Sequence, residues 1–540
     1  MPRYAYKPFP YNKPPELTGA NPGRYPVAIV GAGPVGLAAA IDLALHGIRS
    51  VVLDDNDVVS VGSRAICWAK RTLEIFDRLG VGERMVEKGV TWKVGRLFHG
   101  DWEVYSFDLL PEDGHKMPAF INLQQYHVEQ YLVERCADFP DLIDLRWKNR
   151  VTQVGQQADF ATATVETPDG TYSLETDYLL ACDGAGSSVR GMLGLDFEGQ
   201  VFEERFLITD VEMQADFPSE RLFWFEPLFH PGQSALLHKQ PDNIYRIDLQ
   251  LGWDADPDEE KKPENVIPRI KAMVGKRDFE VDWVSVYTFQ CRRLERFVHG
   301  RVIFAGDSAH VVSPFGARGG NSGIQDIDNL VWKLAAVLNG EGGAGLIESY
   351  NEERVLGADE NILNSARSTS FMTPKSDMEK IFRDAVLDLA GDMAFARRLV
   401  NSGRLSLPCS LEGLALQSPA EDDDGLTPGS VCPDAPVIHD NGGEDWLLNH
   451  LGGAFTLMHV GERQAVGGLD PEIKQIAVTR SAQPDQIDLK LLHDRTGHLT
   501  KRYGDGASYL IRPDQHIAAR FATPDGQTVN AAWKRALSRI

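Results

Sequence analysis

"VAIVGAGPVGLAAAIDLALHGIRSVVLDD", Val27 to Asp55, sets an apolar run, three glycines in G-x-G-x-x-G order, an alanine-rich segment and a second apolar run ending in carboxylates side by side. Val27 to Val30 read as a short buried strand. Gly31, Gly33 and Gly36 supply the tight turn, the close backbone approach and the close helix–strand packing that a bound pyrophosphate requires, and Pro34 among them is expected at the cofactor. Leu37 to Leu45 have the composition of a helix laid on a sheet, whose unpaired N–H groups and positive dipole end face the phosphates. Val51 to Leu53 form the next strand, and Asp54 stands 18 residues after Gly36, near the spacing at which a carboxylate accepts ribose hydroxyls. An acid there disfavours a 2′-phosphate, which leaves NAD or FAD ahead of NADP.

The 540 residues predict two to four domains, and 43% apolar residues suffice for proper cores. A formal charge of −23 argues against sequence-independent nucleic-acid binding and against docking on anionic lipid. The six cysteines are scattered without C-x-x-C or zinc spacing, so reduced thiols and no metal site are expected. No apolar run approaches the roughly 18 residues that span a bilayer, and no signal-peptide core opens the chain, so a cytoplasmic location is expected.

Residues 1–24, with six prolines, read as an extended arm on the surface or on a partner subunit. Arg221 to Trp253 break into strand-like runs at proline, glycine and "PDN" turns, which predicts antiparallel sheet. Met378 to Val400 have helical spacing, and residues 417–432, acidic and rich in Pro and Gly, read as a linker. Beyond it Phe455–Val460, Ile473–Thr479 and Ile487–Leu492 are expected strands, "YLIRPDQHIAARF" a hairpin turning at Pro513-Asp514, and "GQTVNAAWKRAL" a closing helix.

Two further motifs narrow the dinucleotide. "YLLACDGAGSSVR" (Tyr178–Arg190) is a buried strand delivering Asp183-Gly184 into a turn. Gly300 to Leu338 hold another strand, then Gly306-Asp307, His310, Pro314, Gly316, Gly319, Gly320, Asn321 and a long helix. In this order the three motifs resemble the class A flavin-dependent aromatic hydroxylases over about the first 400 residues, most like the branch that hydroxylates 3-(3-hydroxyphenyl)propionate and related phenols and carries a thioredoxin-like C-terminal domain.

The resemblance implies an α/β fold: a Rossmann-like FAD-binding domain over residues 25–370, interleaved with a mostly antiparallel substrate sheet at about 85–120 and 195–290. A helical segment at 371–416 and a thioredoxin-like domain at 433–540 complete it. It implies tightly but non-covalently bound FAD, NAD(P)H as a transient cosubstrate, O2, a small phenolic substrate of the phenolic-acid type, and a homodimer. Hydroxylation would run through a flavin C4a-hydroperoxide.

Residue by residue, the resemblance gives Asp54 the adenosine ribose, Arg64 a place beside the ribityl and flavin, Gln125 the ribityl or phosphate side, and Asp307 the ribityl hydroxyls beside Gly306. It sets Gly316, Gly319, Gly320 and the helix near Asn321 against the isoalloxazine, where the helix dipole stabilises reduced anionic flavin. Asp183 and Arg190 would hold the D-G turn beside a nicotinamide groove. The chain departs from the family at Arg318 and Gly320, where glutamine and methionine are common; the side chain missing at Gly320 bears on pocket volume and loop mobility.

Pro314 and Phe315 are expected at the substrate ring. In the central sheet His238 and Tyr245 are candidates for moving a proton and Arg246 for binding a carboxylate, with a plain sheet role as the alternative for each. His310 is expected to be structural, and Asp326 and Asp328 to be surface or capping groups of the long helix. Two other readings stay open: a dehydrogenase or reductase on the same fold without oxygenation, and a redox relay in the C-terminal domain, disfavoured by the missing dithiol.

Overall fold

Buried parallel strands, amphipathic antiparallel strands and buried helices follow one another in the chain and sort into three large sheets. The computed structural model describes residues 4–20, 23–62, 64–252, 254–314, 316–400, 405, 407–419, 425–481 and 489–539. Tyr25–Val30 and Ser50–Leu53 are apolar throughout and lie in the middle of the first sheet. This sheet runs in the order Val298–His299, Val302–Phe304, Gly170–Ala181, Tyr25–Val30, Ser50–Leu53, Ile143–Arg146. The four central pairings are parallel, so Phe304, Ala181, Val30 and Leu53 end at one edge. The helix Pro34–Leu45, the helix Gly319–Leu338 and the helix Leu346–Met372 pack against this layer.

The second sheet orders His310–Val311, Phe279–Arg293, Glu198–Met213, Ile244–Leu251, Ser234–Lys239, Arg221–Phe225, Val94–His99 and Trp102–Asp108. All its pairings are antiparallel except that between Arg221–Phe225 and Val94–His99. Its odd-numbered residues Tyr245, Ile247, Leu249 and Leu251 enter an apolar core under the helix Pro263–Val274, and the even-numbered ones face the other way.

The arm lies on its own chain. Phe9 stacks on Trp147 with ring centres 4.5 Å apart, Tyr4 meets Tyr126, and Glu16 pairs with Arg146 at 3.0 Å. The segment expected as one helix from Met378 to Val400 is two, Asp377–Ala390 and Ala394–Val400. The break falls at Gly391, where Arg397 donates to the carbonyls of Ala390 (2.7 Å) and Gly391 (2.6 Å).

The C-terminal sheet contains Ile517–Phe521, Ser508–Ile511, Thr456–Val460, Lys474–Thr479 and Lys490–His493 as neighbours in that order, with Gly526–Ala536 as the closing helix. Residues 420–424 of the expected linker lie outside the described residues, but its end is part of this body. Gly429 N–H donates to Ile517 O (2.7 Å), Cys432 N–H donates to Gln515 O (2.9 Å), and the Cys432 side chain is buried in the core with Leu499 and Tyr503. Burial pushes that thiol up to about 12.

The Pro513-Asp514 turn drives into the helices of the first body. Arg512 donates to both oxygens of Glu353 (2.7 and 3.0 Å) and pairs with Asp514, and Lys333 Nζ donates to Glu353 Oε2 (2.7 Å). Arg71 reaches Asp328 (2.8 Å), Asp514 O and Gln515, while Arg78 spans Asp42 (2.6 Å) and Asp328 (3.0 Å). Asp326 and Asp328 are therefore not surface or capping groups: the helix carrying them is buried between other helices and this turn, and both carboxylates serve as counter-ions inside it.

Candidate functional site

The glycine motif stands at the carboxyl edge of the parallel strands, where a ligand crevice is expected. Gly31 has φ +105°, and a Cβ there would sit 2.5 Å from Cys182 O, so this turn and the turn entering Asp183 admit only glycine at that point. A Cβ on Gly36 would meet Gly31 O at 1.9 Å, whereas one on Gly33 would meet nothing within 4 Å. Two glycines thus serve packing and the middle one keeps an open approach to the backbone. Pro34 is the first residue of the helix, whose first-turn N–H groups lack intrahelical partners.

Asp54 ties the loop down: its oxygens accept from Ala32 N–H (2.6 Å) and Asn56 N–H (2.9 Å), and each keeps a lone pair for a ribose hydroxyl. Burial raises its pKa, and the two backbone donors oppose the shift. Gln125 accepts from Ala65 N–H (3.1 Å) and donates to Glu129 (2.8 Å) and Ser60 (3.2 Å), fixing the segment that carries exposed Arg64. Asp183 accepts from Val189 N–H (3.0 Å) and Ser188 Oγ (3.2 Å), and Arg190 donates to Ser308 O (3.2 Å), which links this turn to the Gly306-Asp307 turn.

Beneath that second turn Asp326 collects three donors: Gly306 N–H (2.9 Å), His310 Nε2 (2.7 Å) and Arg354 Nε (2.7 Å). His310 is fully buried there as a brace for the turn. Asp307, one residue on, is open to solvent through the crevice, yet enough protein surrounds its carboxyl for desolvation to raise its pKa against the pull of His310 and Arg64.

The long helix starts at Gly319, two residues before Asn321. Asn321 latches it to the strand Cys67–Ala69, accepting from Ala69 N–H and donating to Cys67 O, both at 2.9 Å. A Cβ on Gly319 would lie 3.8 Å from Asp307 Oδ1, which sets the helix start beside that carboxylate. On Gly320 it would meet Ala65 and Trp68 at 3.4 Å; the absent side chain is replaced by close loop packing rather than by added pocket volume. Gly316 takes φ +105° and Ala317 φ +52° in the same loop. Phe315 lies outside the described residues.

Against this loop lies a small cavity walled by Pro314, Ala317 and Cys67 on one side and by Phe206, Ile208, Arg221, Leu236, His238, Asp248 and Phe289 of the antiparallel sheet on the other. The period of two in strands sorts the candidates. Arg246 pairs with His238 across one strand boundary and with Asp210 across the next, so all three share the cavity-side face. Tyr245 is one residue off and points into the opposite core, where its hydroxyl donates to Ala215 O at 2.7 Å; the proton-moving role expected for it is corrected. Arg246 is also corrected as a carboxylate binder, because Asp210 already engages it through two bonds of 2.9 and 2.8 Å.

His238 remains, buried, with Nδ1 unpartnered and its pKa held well below the usual value by desolvation and then by Arg221 and Arg246. Desolvation raises Asp248 to about 7 despite Arg246 and Arg221, and pushes the Cys67 thiol up to about 11. Arg221, Asp248 and the aromatic wall escaped the reading of the sequence. The signal was available in Asp248, which follows Arg246 by two residues on the same strand face.

Residues 24–365 match the FAD binding domain family. The chain is 26% identical over 526 residues to a 3-(3-hydroxy-phenyl)propionate/3-hydroxycinnamic acid hydroxylase of Mycolicibacterium smegmatis, covering 92% of this chain and 91% of that one. It is 31% identical over 346 residues to a probable NADH-specific resorcinol 4-hydroxylase of Rhodococcus jostii, covering 62% and 63%. The fold is that of the flavin-dependent monooxygenase PieE, solved in complex with FAD and substrate, at a TM-score of 0.80, 21% identity and coverage of 96% and 100%.

Proposed function

The chain belongs to the FAD binding domain family, and on that premise we propose that it is an NAD(P)H-dependent flavoprotein aromatic hydroxylase that places one oxygen atom of O2 on a phenolic ring. The observation that carries this reading is the cavity shared by the flavin loop and the sheet: Pro314 and Ala317 wall it on the side of the cofactor crevice, and Phe206 and Phe289 offer aromatic faces to a ring. When bound, FAD supplies the two-electron chemistry with nicotinamide and the activation of O2.

The protein's own part is binding, orientation and exclusion of water. Gly31, Gly33, Pro34 and Gly36 would receive the pyrophosphate, Asp54 the ribose, and Arg64, Gln125 and Asp307 beside Gly306 the ribityl chain. Asp183 fixes the adjoining turn. Gly316, Gly319 and Gly320, held by Asn321, would bring backbone N–H groups and the positive helix end to the ring system. His238, kept neutral by burial, is the wall residue suited to hydrogen-bond a phenol hydroxyl and hold it in place. Among the described residues there is one G-x-G-x-x-G loop, which agrees with transient nicotinamide binding.

The strand order Ile517–Phe521, Ser508–Ile511, Thr456–Val460, Lys474–Thr479, with Ser508–Ile511 antiparallel to its neighbours, supports a thioredoxin-like C-terminal body. Its role in this reading is structural, because Cys432 is a buried thiol of raised pKa. A homodimer and a cytoplasmic location belong to the same reading, and sedimentation and fractionation test them.

The deciding experiment is aerobic turnover with a panel of phenols, following nicotinamide oxidation together with product mass after isotopically labelled O2. Phenol-stimulated oxidation with label in the product is expected. Oxidation without label, coupled instead to another acceptor, would replace this reading with a dehydrogenase or reductase.

A further inference from the structure

At the edge of the C-terminal sheet a hairpin and the turn after it bring two imidazoles and a carboxylate together. Val437 of the strand Pro436–His439 stands opposite Asp445 of the edge strand Glu444–Trp446. His439, two residues on from Val437, therefore shares a sheet face with Asp445. The short helical turn Leu447–His450 then carries His450 back to the pair. Asp445 Oδ1 is engaged inside the protein, accepting from Trp446 N–H (2.8 Å) and Asn449 Nδ2 (2.6 Å). Its Oδ2 faces the imidazoles, 3.0 Å from His439 Nε2 and 3.1 Å from His450 Nε2. The three atoms all lie within 4.8 Å of one another, and the rings stand nearly edge to face with centres 5.2 Å apart. The His450 side chain is only 5% exposed, yet its Nε2 has no hydrogen-bond partner among the described residues. A buried ring nitrogen left so calls for a partner that the protein itself does not supply.

We infer that His439, Asp445 and His450 form a binding site for a divalent transition-metal ion of the zinc type, with the fourth position left to water. Zinc takes tetrahedral sets of imidazole and carboxylate at about 2.0–2.2 Å, which sets neighbouring donors roughly 3.3 Å apart. The two edges through Asp445 Oδ2 are already near that value. Only the imidazoles have to close on each other, and His439, a third exposed on its hairpin, has room to turn its ring. Two nitrogen donors favour zinc and its neighbours over magnesium and calcium, which take oxygen ligands. Asn449 and the Trp446 N–H hold the far oxygen of the carboxylate, as the outer partners of metal ligands do. One group opposes the ion: exposed Lys490 donates to His450 Nδ1 (2.9 Å), which leaves the imidazole proton on Nε2. Metal binding needs that proton on Nδ1 and Lys490 turned to solvent, so Lys490 weakens the site. None of the three donors is a cysteine, and the thiol spacing carried no sign of them. Bound there, the ion clips the hairpin to the turn that follows it, whatever reaction the flavin site performs.

The test uses the full, FAD-loaded chain without an affinity tag, stripped of metal by a chelator and titrated with zinc chloride in a calorimeter. Cobalt(II) added to a second sample reads the geometry by its visible absorbance. Wild type is expected to take up one zinc per chain in the micromolar range or tighter, and to give the intense bands of four-coordinate cobalt. His439→Ala and Asp445→Asn are each expected to weaken zinc binding about tenfold or more, at unchanged circular dichroism and flavin content. Lys490→Met is expected to tighten it several-fold, because it removes both a positive charge and the bond that holds the wrong tautomer. No saturable zinc binding by wild type overturns the inference. So does binding that survives both His439→Ala and Asp445→Asn, which marks an adventitious surface ion. Binding no tighter in Lys490→Met overturns it as well, since the ion then does not sit on His450 Nε2. The cobalt spectrum needs no variant: only the weak absorbance of six-coordinate cobalt in the wild-type protein excludes the closed three-donor site.

Discussion

The seam under the C-terminal hairpin turn and the cavity over the antiparallel sheet both hold arginines and carboxylates, but the seam pairs Arg512, Arg71 and Arg78, whereas on the cavity face Arg246 and Asp210 are paired and Arg221 and Asp248, among the described residues, are not. Glu353 faces Arg512, Lys333, Asn329 and Gln417, and Asp328 is shared by Arg71 and Arg78. In the cavity Arg221 has no hydrogen bond or ion pair among the described residues, and Asp248 and His238 keep orphaned atoms there. A buried charge whose bonds are all made inside the protein fixes the relative position of elements. One whose bonds are open is stable only in the company of something that binds.

The comparison breaks most visibly at the seam. Glu353→Gln leaves Arg512 and Lys333 facing a neutral group, and a loss of about 3 to 5 kcal/mol is expected, read as a large fall in melting temperature. A melting temperature near that of wild type would show that the seam is not architectural. Next comes Asp307→Ala, which touches an open carboxylate. The ratio of flavin to protein absorbance should fall sharply while the melting temperature of the flavin-free protein stays where it was; a fall in both would move Asp307 to the architectural class.

The two regions should also answer pH in opposite directions. Glu353 is held well below the usual range by Arg512 and Lys333 against desolvation, so its contribution is complete above the unfolded carboxylate range and fades as pH drops through and below that range. Asp248 is raised from 3.8 to about 7, chiefly by desolvation and against the pull of Arg246 and Arg221, so the folded state binds the extra proton between those values and stability declines as pH rises through them. Asp248→Asn should therefore melt higher than wild type at pH 8 and show no such gain at pH 4. A gain that is the same at both pH values would mean that the carboxyl does not titrate in the cavity. The smallest effect belongs to Tyr245→Phe: one hydrogen bond to Ala215 O is lost, about 1 kcal/mol, with substrate affinity, read from the flavin absorbance, unchanged. A change in affinity would return Tyr245 to the site.

The dinucleotide crevice was readable in the sequence because its requirements are local. Gly36 is demanded by its contact with Gly31 O within one strand–turn–helix unit, Gly31 by the positive φ of its own turn, and Asp54 reaches back to Ala32 across the next strand. The substrate wall was readable only in part. The strands of Arg221 to Trp253 were evident, but choosing Tyr245 together with Arg246 set two candidates on opposite faces of one strand. Whether an arginine is free depends on a partner elsewhere: Arg246 was lost to Asp210, 36 residues away.

The sequence by itself determined the FAD-binding unit, the antiparallel sheet and the C-terminal strands, since backbone conformation, apolar period and turn chemistry are properties of short segments. Only the tertiary structure decided which charges are spent and which are open. Arg512 and Glu353 meet across 159 positions, and Arg71 and Gln515 across 444. No local pattern records such pairings, because a salt bridge is chosen by the packing of whole helices and sheets rather than by the residues that flank either partner.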